Sequence, residues 1–201
     1  MTAAPGTMTE SHTTVVDALR RAVPKAVIEV GAAVDMPTLY VDRENLVAVC
    51  RTLRDAPSLQ FALLVEVTSV DFLPAEPRYE VVYHLACLGE AYGHAPARRL
   101  RLKVRVPGGD PHVPTVTSIY PGAGWPEREV YDLMGIVFEG HPDLRRILTP
   151  DDWQGHPLRK DYPVQVRKDA VSWSPLQLTP EEFAANVRSA QAQADKTARR
   201  K

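Results

Sequence analysis

The sequence predicts an α+β fold: a two-layer domain ordered helix–strand–strand–helix–three strands on a mixed sheet, followed by a Pro-rich extended arm with short helices. Three observations predict it. Leu46, Val49, Cys50 and Leu53 recur at helical spacing behind Asp42, a natural N-cap. Leu100, Leu102, Val104 and Val106 alternate with Arg99, Arg101, Lys103 and Arg105, the period-two signature of a strand with one wet face. Eleven of the 18 prolines fall between Pro107 and Pro180, so near residue 107 a periodic half gives way to short elements and extended links.

The elements follow in order. Residues 1–12 are small and polar, and disorder is expected there. A domain over 13–107 starts with a helix capped at Thr13 or Thr14, carrying Val15, Val16, Leu19 and Val23 and stopped by Pro24. Ala26–Val30 and Thr38–Val41 read as short strands around Gly31 and Pro37. The helix behind Asp42 ends near Pro57, and longer strands follow at Gln60–Phe72, Arg78–Leu88 and Arg98–Val106. The helices are expected to cover the face opposite the cations.

Residues 108–165 form a second segment, expected to pack on partner chains. Thr115–Tyr120 is a short helix candidate broken by Pro121, Gly122 and Gly124. Pro126 suits the first position of a new helix, with Glu127 and Glu129 favoured by its dipole and Gly135 closing it. Ile136-Val137-Phe138 precedes a turn, and Thr149-Pro150-Asp151-Asp152 leads into a single turn ended by Gly155. Pro157 and Pro163 keep Leu158–Pro163 extended. In the extension 166–201, Thr179-Pro180-Glu181-Glu182 opens a helix over about 180–197, and Trp173, Leu176 and Leu178 are candidate anchors on a partner.

Composition narrows the function. A chain of 201 residues buries roughly 70% of its unfolded surface, enough for a real core. A net charge of −1 argues against general attraction to nucleic acid or anionic membrane. No basic-then-apolar leader is visible at the N-terminus, and the longest apolar run, Phe61–Val65, stops at Glu66, far short of a membrane span. Membrane contact is expected only through partners. Cys50 and Cys87 stand apart from any C-x-x-C pair, so both read as small buried hydrophobes rather than cluster or zinc ligands.

The densest information lies at 127–163, where thirteen of 37 positions are charged, interleaved with aromatic residues and proline. Forked Arg and carboxylate groups at this density suit a surface that docks another protein. The order Glu127-Arg128-Glu129, two residues, Asp132-Leu133-Met134, six residues, His141, three residues, Arg145, one residue, Ile147-Leu148, continued by DDWQGHPLRKDYP, resembles the signature of a bacterial NADH-quinone oxidoreductase family. Its members are the small hydrophilic C subunits of the respiratory complex I peripheral arm. The likeness covers most of residues 13–165.

The resemblance implies a protein without catalytic residues, without flavin or cluster of its own; FMN and the Fe-S clusters would belong to partner subunits. It implies packing in the peripheral arm against the hydrogenase-like quinone-site subunit and the subunit bearing the terminal cluster, on the cytoplasmic side of the cell membrane. The enzyme so assembled passes electrons from NADH to quinone and couples this to proton or ion pumping. The implied interface residues are Glu127, Arg128, Glu129, Asp132, His141, Pro142, Asp143, Arg145, Arg146, Asp152, Trp153, His156, Arg159, Asp161 and Tyr162.

Bland readings stand beside these. Arg128 and Asp132, at i,i+4, would otherwise be an exposed helical pair worth about 0.3–0.5 kcal/mol. On the interface reading, Glu127 and Glu129 answer partner cations, and reversing the charge of Arg146 lowers co-purification. His141 and His156 lie near Asp143, Asp151 and Asp152, but their spacing matches no metal motif, and His-Pro more often marks a rigid turn. Nucleic-acid binding through Arg98–Arg105 and the Lys196–Lys201 tail is disfavoured, because no aromatic residues interleave the cations. The nearest rival is the equivalent subunit of a membrane-bound hydrogenase or formate hydrogenlyase complex, which has a similar signature.

Overall fold

A computed structural model describes residues 10–32, 35–93 and 95–163. They belong to one unit that ends at Pro163. The disorder expected over residues 1–12 does not hold for residues 10–12, which already belong to the first helix; the expectations for residues 1–9 and 164–201, including the helix over about 180–197, lie outside the described residues.

Helix α1 (Glu10–Ala22) buries Val15, Val16 and Leu19. It begins before Thr13 and Thr14, which sit inside it rather than capping it. β1 (Ile28–Val30) pairs antiparallel with β2 (Thr38–Val41), and a Cβ on Gly31 would press against the Tyr40 ring and Thr38, so the link between them needs glycine. Asp42 caps as expected: its carboxylate accepts from Asn45 N at 3.2 Å and from Val27 N at 2.7 Å. A 3-10 turn at Arg43–Asn45 then runs into α2 (Leu46–Asp55), whose Leu46, Val49, Cys50 and Leu53 are all buried.

Strands β3 (Leu63–Asp71), β4 (Tyr79–Cys87) and β5 (Arg98–Val106) form an antiparallel meander. β3 starts later than Gln60, because the Leu59 and Gln60 amides turn back onto Ala56 O and Gln60 has φ +49°. The sheet order is β1-β2-β5-β4-β3, with β2 parallel to β5: the expected mixed sheet. Leu100, Leu102, Val104 and Val106 face the core. Arg101, Lys103 and Arg105 of β5 point the other way and are matched inside the chain, Arg101 with Asp35 at 3.0 Å, Lys103 with Glu80 at 3.4 Å and Arg105 with Glu29 at 3.0 Å.

The second segment joins the same core, to which it contributes Val113, Val116, Ile119, Val130, Ile136 and Phe138. Thr115–Tyr120 is not a helix. Only one turn closes there, with the Ile119 and Tyr120 amides both donating to Val116 O, and the Val116 amide is taken by a side chain described below. Helix α3 (Gly124–Met134) is flanked by β6 (His112–Pro114) and β7 (Val137–Glu139), which pair in parallel as a two-stranded sheet that no pattern in the sequence predicts. Cys50 and Cys87 are buried and free, and burial pushes the Cys50 thiol up to about 12.

Candidate functional site: a polar frame around helix α3

An α-helix leaves its last carbonyls without intrahelical donors. In α3 the signature supplies them. His156 Nδ1 lies 2.9 Å from Asp132 O, Leu158 N donates to Leu133 O at 3.0 Å, and Arg159 donates to Met134 O at 2.6 Å and Gly135 O at 3.2 Å. The segment Gly155-His156-Pro157-Leu158-Arg159 is thus a tertiary C-cap, and the Arg159 cation lies where the dipole is negative. Gly135, at φ +71°, ends the helix, and a Cβ there would collide with the Arg159 guanidinium and the His156 ring.

Asp132 is the hub of the frame and is fully buried. Its Oδ2 accepts from the amides of Ile147 (3.0 Å), Leu148 (2.7 Å) and Thr149 (2.8 Å), and its Oδ1 from Arg146 Nη1 (2.8 Å) and the Thr149 hydroxyl. Burial alone would raise its pKa. The Thr149 hydroxyl and amide, the Ile147 amide and the Arg146 guanidinium outweigh that and hold the carboxyl well below the usual carboxylate range. Arg146 also donates to Gly155 O at 3.1 Å, and Arg128 to Arg145 O and Arg146 O at 3.0 and 2.9 Å. The bland alternative, an exposed Arg128–Asp132 helical pair, therefore does not form. Arg128 holds the backbone of 145–146 while Asp132 holds 147–149.

Glu127 anchors the other end of α3. Fully buried, it accepts from Val116 N at 2.9 Å and Thr115 Oγ1 at 2.5 Å. Burial pushes its pKa up to about 7, against the Thr115 and Val116 bonds. It does not face a partner cation, and the Val116 amide it captures is the one missing from the expected helix at 115–120. His141 Nδ1 accepts from Asp143 N at 3.0 Å, which leaves Nε2 as the donor to Gly124 O at 3.0 Å. Nε2 lies 3.9 Å from the Glu127 carboxylate.

A third knot ties residues 160–161 to the sheet. Arg78 forks onto Asp71 at 3.0 and 2.8 Å and onto Asp161 at 3.0 and 2.8 Å, and Asp71 also accepts from Lys160 N at 2.9 Å. The Arg78 guanidinium and the Lys160 and Leu73 amides hold the Asp71 carboxyl well below its ordinary range. Neither Arg78 nor Asp71 stands out in the sequence, because nothing local marks a hairpin Arg for an Asp 83 positions away.

The structure thus gathers Arg128, Asp132, Arg146, His156 and Arg159 into one network, Glu127 and His141 into a second, and Asp161 into a third. Tyr162 donates to Gln154 O at 3.3 Å, closing the last loop, and Trp153 is half-buried. Glu129, Pro142, Asp143, Arg145 and Asp152 remain exposed. His141 and His156 sit at opposite ends of α3, and among the described residues no three His, Cys, Asp or Glu are placed to hold a metal ion. Outside the frame, Trp125 (68% exposed), Leu148 (62%) and Leu158 (56%) present large apolar groups to solvent.

The family model of the respiratory-chain NADH dehydrogenase 30 kDa subunit matches residues 39–168, a span that runs from β2 through the whole frame. The chain belongs to that family. Its relatives include proteins named as the C subunit of NADH-quinone oxidoreductase. That of Saccharopolyspora erythraea is 50% identical over 146 residues, which is 72% of this chain and 56% of the relative. That of Roseiflexus sp. (strain RS-1) is 42% identical over 167 residues, 83% of this chain and 92% of the relative. The chain therefore spans little more than half of the first relative and nearly all of the second. Among solved structures, a trypsin-resistant fragment of Nqo5 aligns with TM-score 0.51 and 32% identity, over 66% of this chain and 99% of the fragment. A chain of the membrane-bound sulfane sulfur reductase, an archaeal respiratory membrane complex, aligns with TM-score 0.62 and 26% identity, over 77% and 87%. In this member of the 30 kDa family, then, the signature is first of all an internal brace, and only its outer residues are free to meet another chain.

Proposed function

We propose that the chain is a non-catalytic structural subunit of the peripheral arm of a proton-translocating NADH:quinone oxidoreductase. It would sit on the cytoplasmic face of the cell membrane and help hold the hydrogenase-like quinone-site subunit to the subunit bearing the terminal Fe-S cluster. The family match over residues 39–168 carries this reading. The geometry supports it: the polar signature is spent on bracing a rigid platform, while Trp125, Leu148 and Leu158 stand exposed around it, the pairing of rigid support and apolar anchors that suits an interface. FMN and the clusters would be held by the partners, and no helix among the described residues is long and apolar enough to cross a membrane.

The likeness to a chain of the sulfane sulfur reductase is also consistent with a second reading, in which the chain is the equivalent subunit of a membrane-bound hydrogenase or formate hydrogenlyase complex. Deleting its gene separates the two. On the first reading, membranes lose quinone-dependent NADH oxidation and regain it with the intact chain. Unchanged NADH oxidation, with loss of hydrogen-linked activity instead, would support the second.

A further inference from the structure

Strand β3 ends the sheet, and no described strand pairs with its outer edge. The pairing register slips between Leu64 and Glu66, leaving Val65 without a cross-strand partner and 59% exposed. A bulge at a sheet edge re-aims a side chain outward. Here Val65 is re-aimed into a groove between β3 and α3, walled by Leu133 of α3 and by Leu158, which the C-cap of α3 holds in place. The lining of the groove also includes Glu66 and Glu129 and, among the described residues, no cation. Glu66 has His84 at 3.4 Å, whereas Glu129 makes no ion pair with a described residue.

The cavity measures about 140 Å³. Small-molecule and cofactor sites run to roughly 300–1,000 Å³, so the space suits one large side chain. Apolar walls beneath two like charges favour an occupant with an aliphatic stem and a forked cationic head. We propose that the groove is the socket for an arginine of a sister subunit, its stem lying on Val65, Leu133 and Leu158 and its guanidinium held by Glu66 and Glu129. The proposal rests on the reading of the chain as one subunit of a larger complex. Arginine sockets of this kind carry a disproportionate share of binding energy, and Glu129 here would be a binding residue where Glu127 and Asp132 are braces.

The test uses the intact complex, purified through a tag on a neighbouring subunit. A photoreactive benzoylphenylalanine at Val65 should crosslink to a sister chain beside an arginine, while the same probe at the exposed Arg51 of α2 should not. Glu129→Lys should lower retention of the chain roughly ten- to hundredfold, leave the unfolding temperature of the full-length chain near wild type, and be rescued by changing the crosslinked arginine to glutamate. Wild-type retention of Glu129→Lys, or Val65 crosslinks only to residues 164–201 of the same chain, would overturn the socket while leaving the reading as a subunit intact. Recovery of the wild-type chain with no sister subunit would defeat both.

Discussion

Replacing Asp132 is the sharpest perturbation of the frame. Asp132→Ala removes the acceptor of three backbone amides, one hydroxyl and one guanidinium, and leaves Arg146 half-buried opposite a hole. Breaking a buried ion pair from one side costs about 3–5 kcal/mol. The amides of 147–149 lie near the surface and would recover part of their loss from water, so the lower half of that range is expected. At this chain length about 3 kcal/mol lowers the unfolding temperature by about 6–12 °C. Asp132→Asn is the informative control. Its single oxygen can face the three amides or Arg146 and Thr149, not both, and the amide group then meets donors on the other side; a loss of about 2 kcal/mol is expected. The assay is thermal unfolding of the full-length chain with hydrogen exchange at residues 147–149, whose protection should collapse in Asp132→Ala and fall only in part in Asp132→Asn. A shift under about 2 °C for Asp132→Ala with protection retained would refute the bracing role. Because the folded carboxyl titrates below its ordinary 3.8, its contribution is present above that pH and is lost as pH falls through the folded value.

Glu127 predicts the opposite slope. Its folded pKa of about 7 lies above the ordinary 4.5, so the native chain binds the extra proton and stability falls as pH rises between those values, by about 3 kcal/mol in all; Glu127→Gln should remove that slope in melts across that window. Gly135→Ala should cost about 2–3 kcal/mol, through positive φ and the clash with Arg159 and His156, read as a lower unfolding temperature with faster exchange at Leu158. Arg78→Ala should free residues 160–162 from the β3–β4 hairpin, seen as tryptic cleavage after Arg159 or Lys160 that the wild-type chain resists. Arg146→Glu no longer isolates an interface, because it would place two carboxylates together at Asp132; it should lower stability of the chain alone, in the same melt.

Much of the fold is legible in the sequence because its signals are local. The alternation at Leu100–Val106 and the helical face behind Asp42 are set by period and cap, and the structure keeps both. The start of β3 is not legible, because the positive φ at Gln60 and its contact with Ala95 depend on tertiary structure that no local pattern carries, and α1 begins ahead of the threonines that read as its cap. The pairing of β6 with β7 joins segments too short to announce themselves. At the site, the sequence marks the right region but its charged residues read as outward-facing, since charge usually means surface. Glu127 and Asp132 reverse that rule, and only the donors gathered from Thr115 and Ile147–Thr149 make their burial tolerable.

The most direct measurement is to tag the full-length chain, solubilise membranes gently, and identify by mass spectrometry what travels with it. Membership of a respiratory complex predicts the quinone-site and terminal-cluster subunits of an NADH dehydrogenase in stoichiometric amounts, with NADH oxidation in that fraction and none in the chain alone. A chain recovered by itself, or one that oxidises NADH unaided, would contradict it.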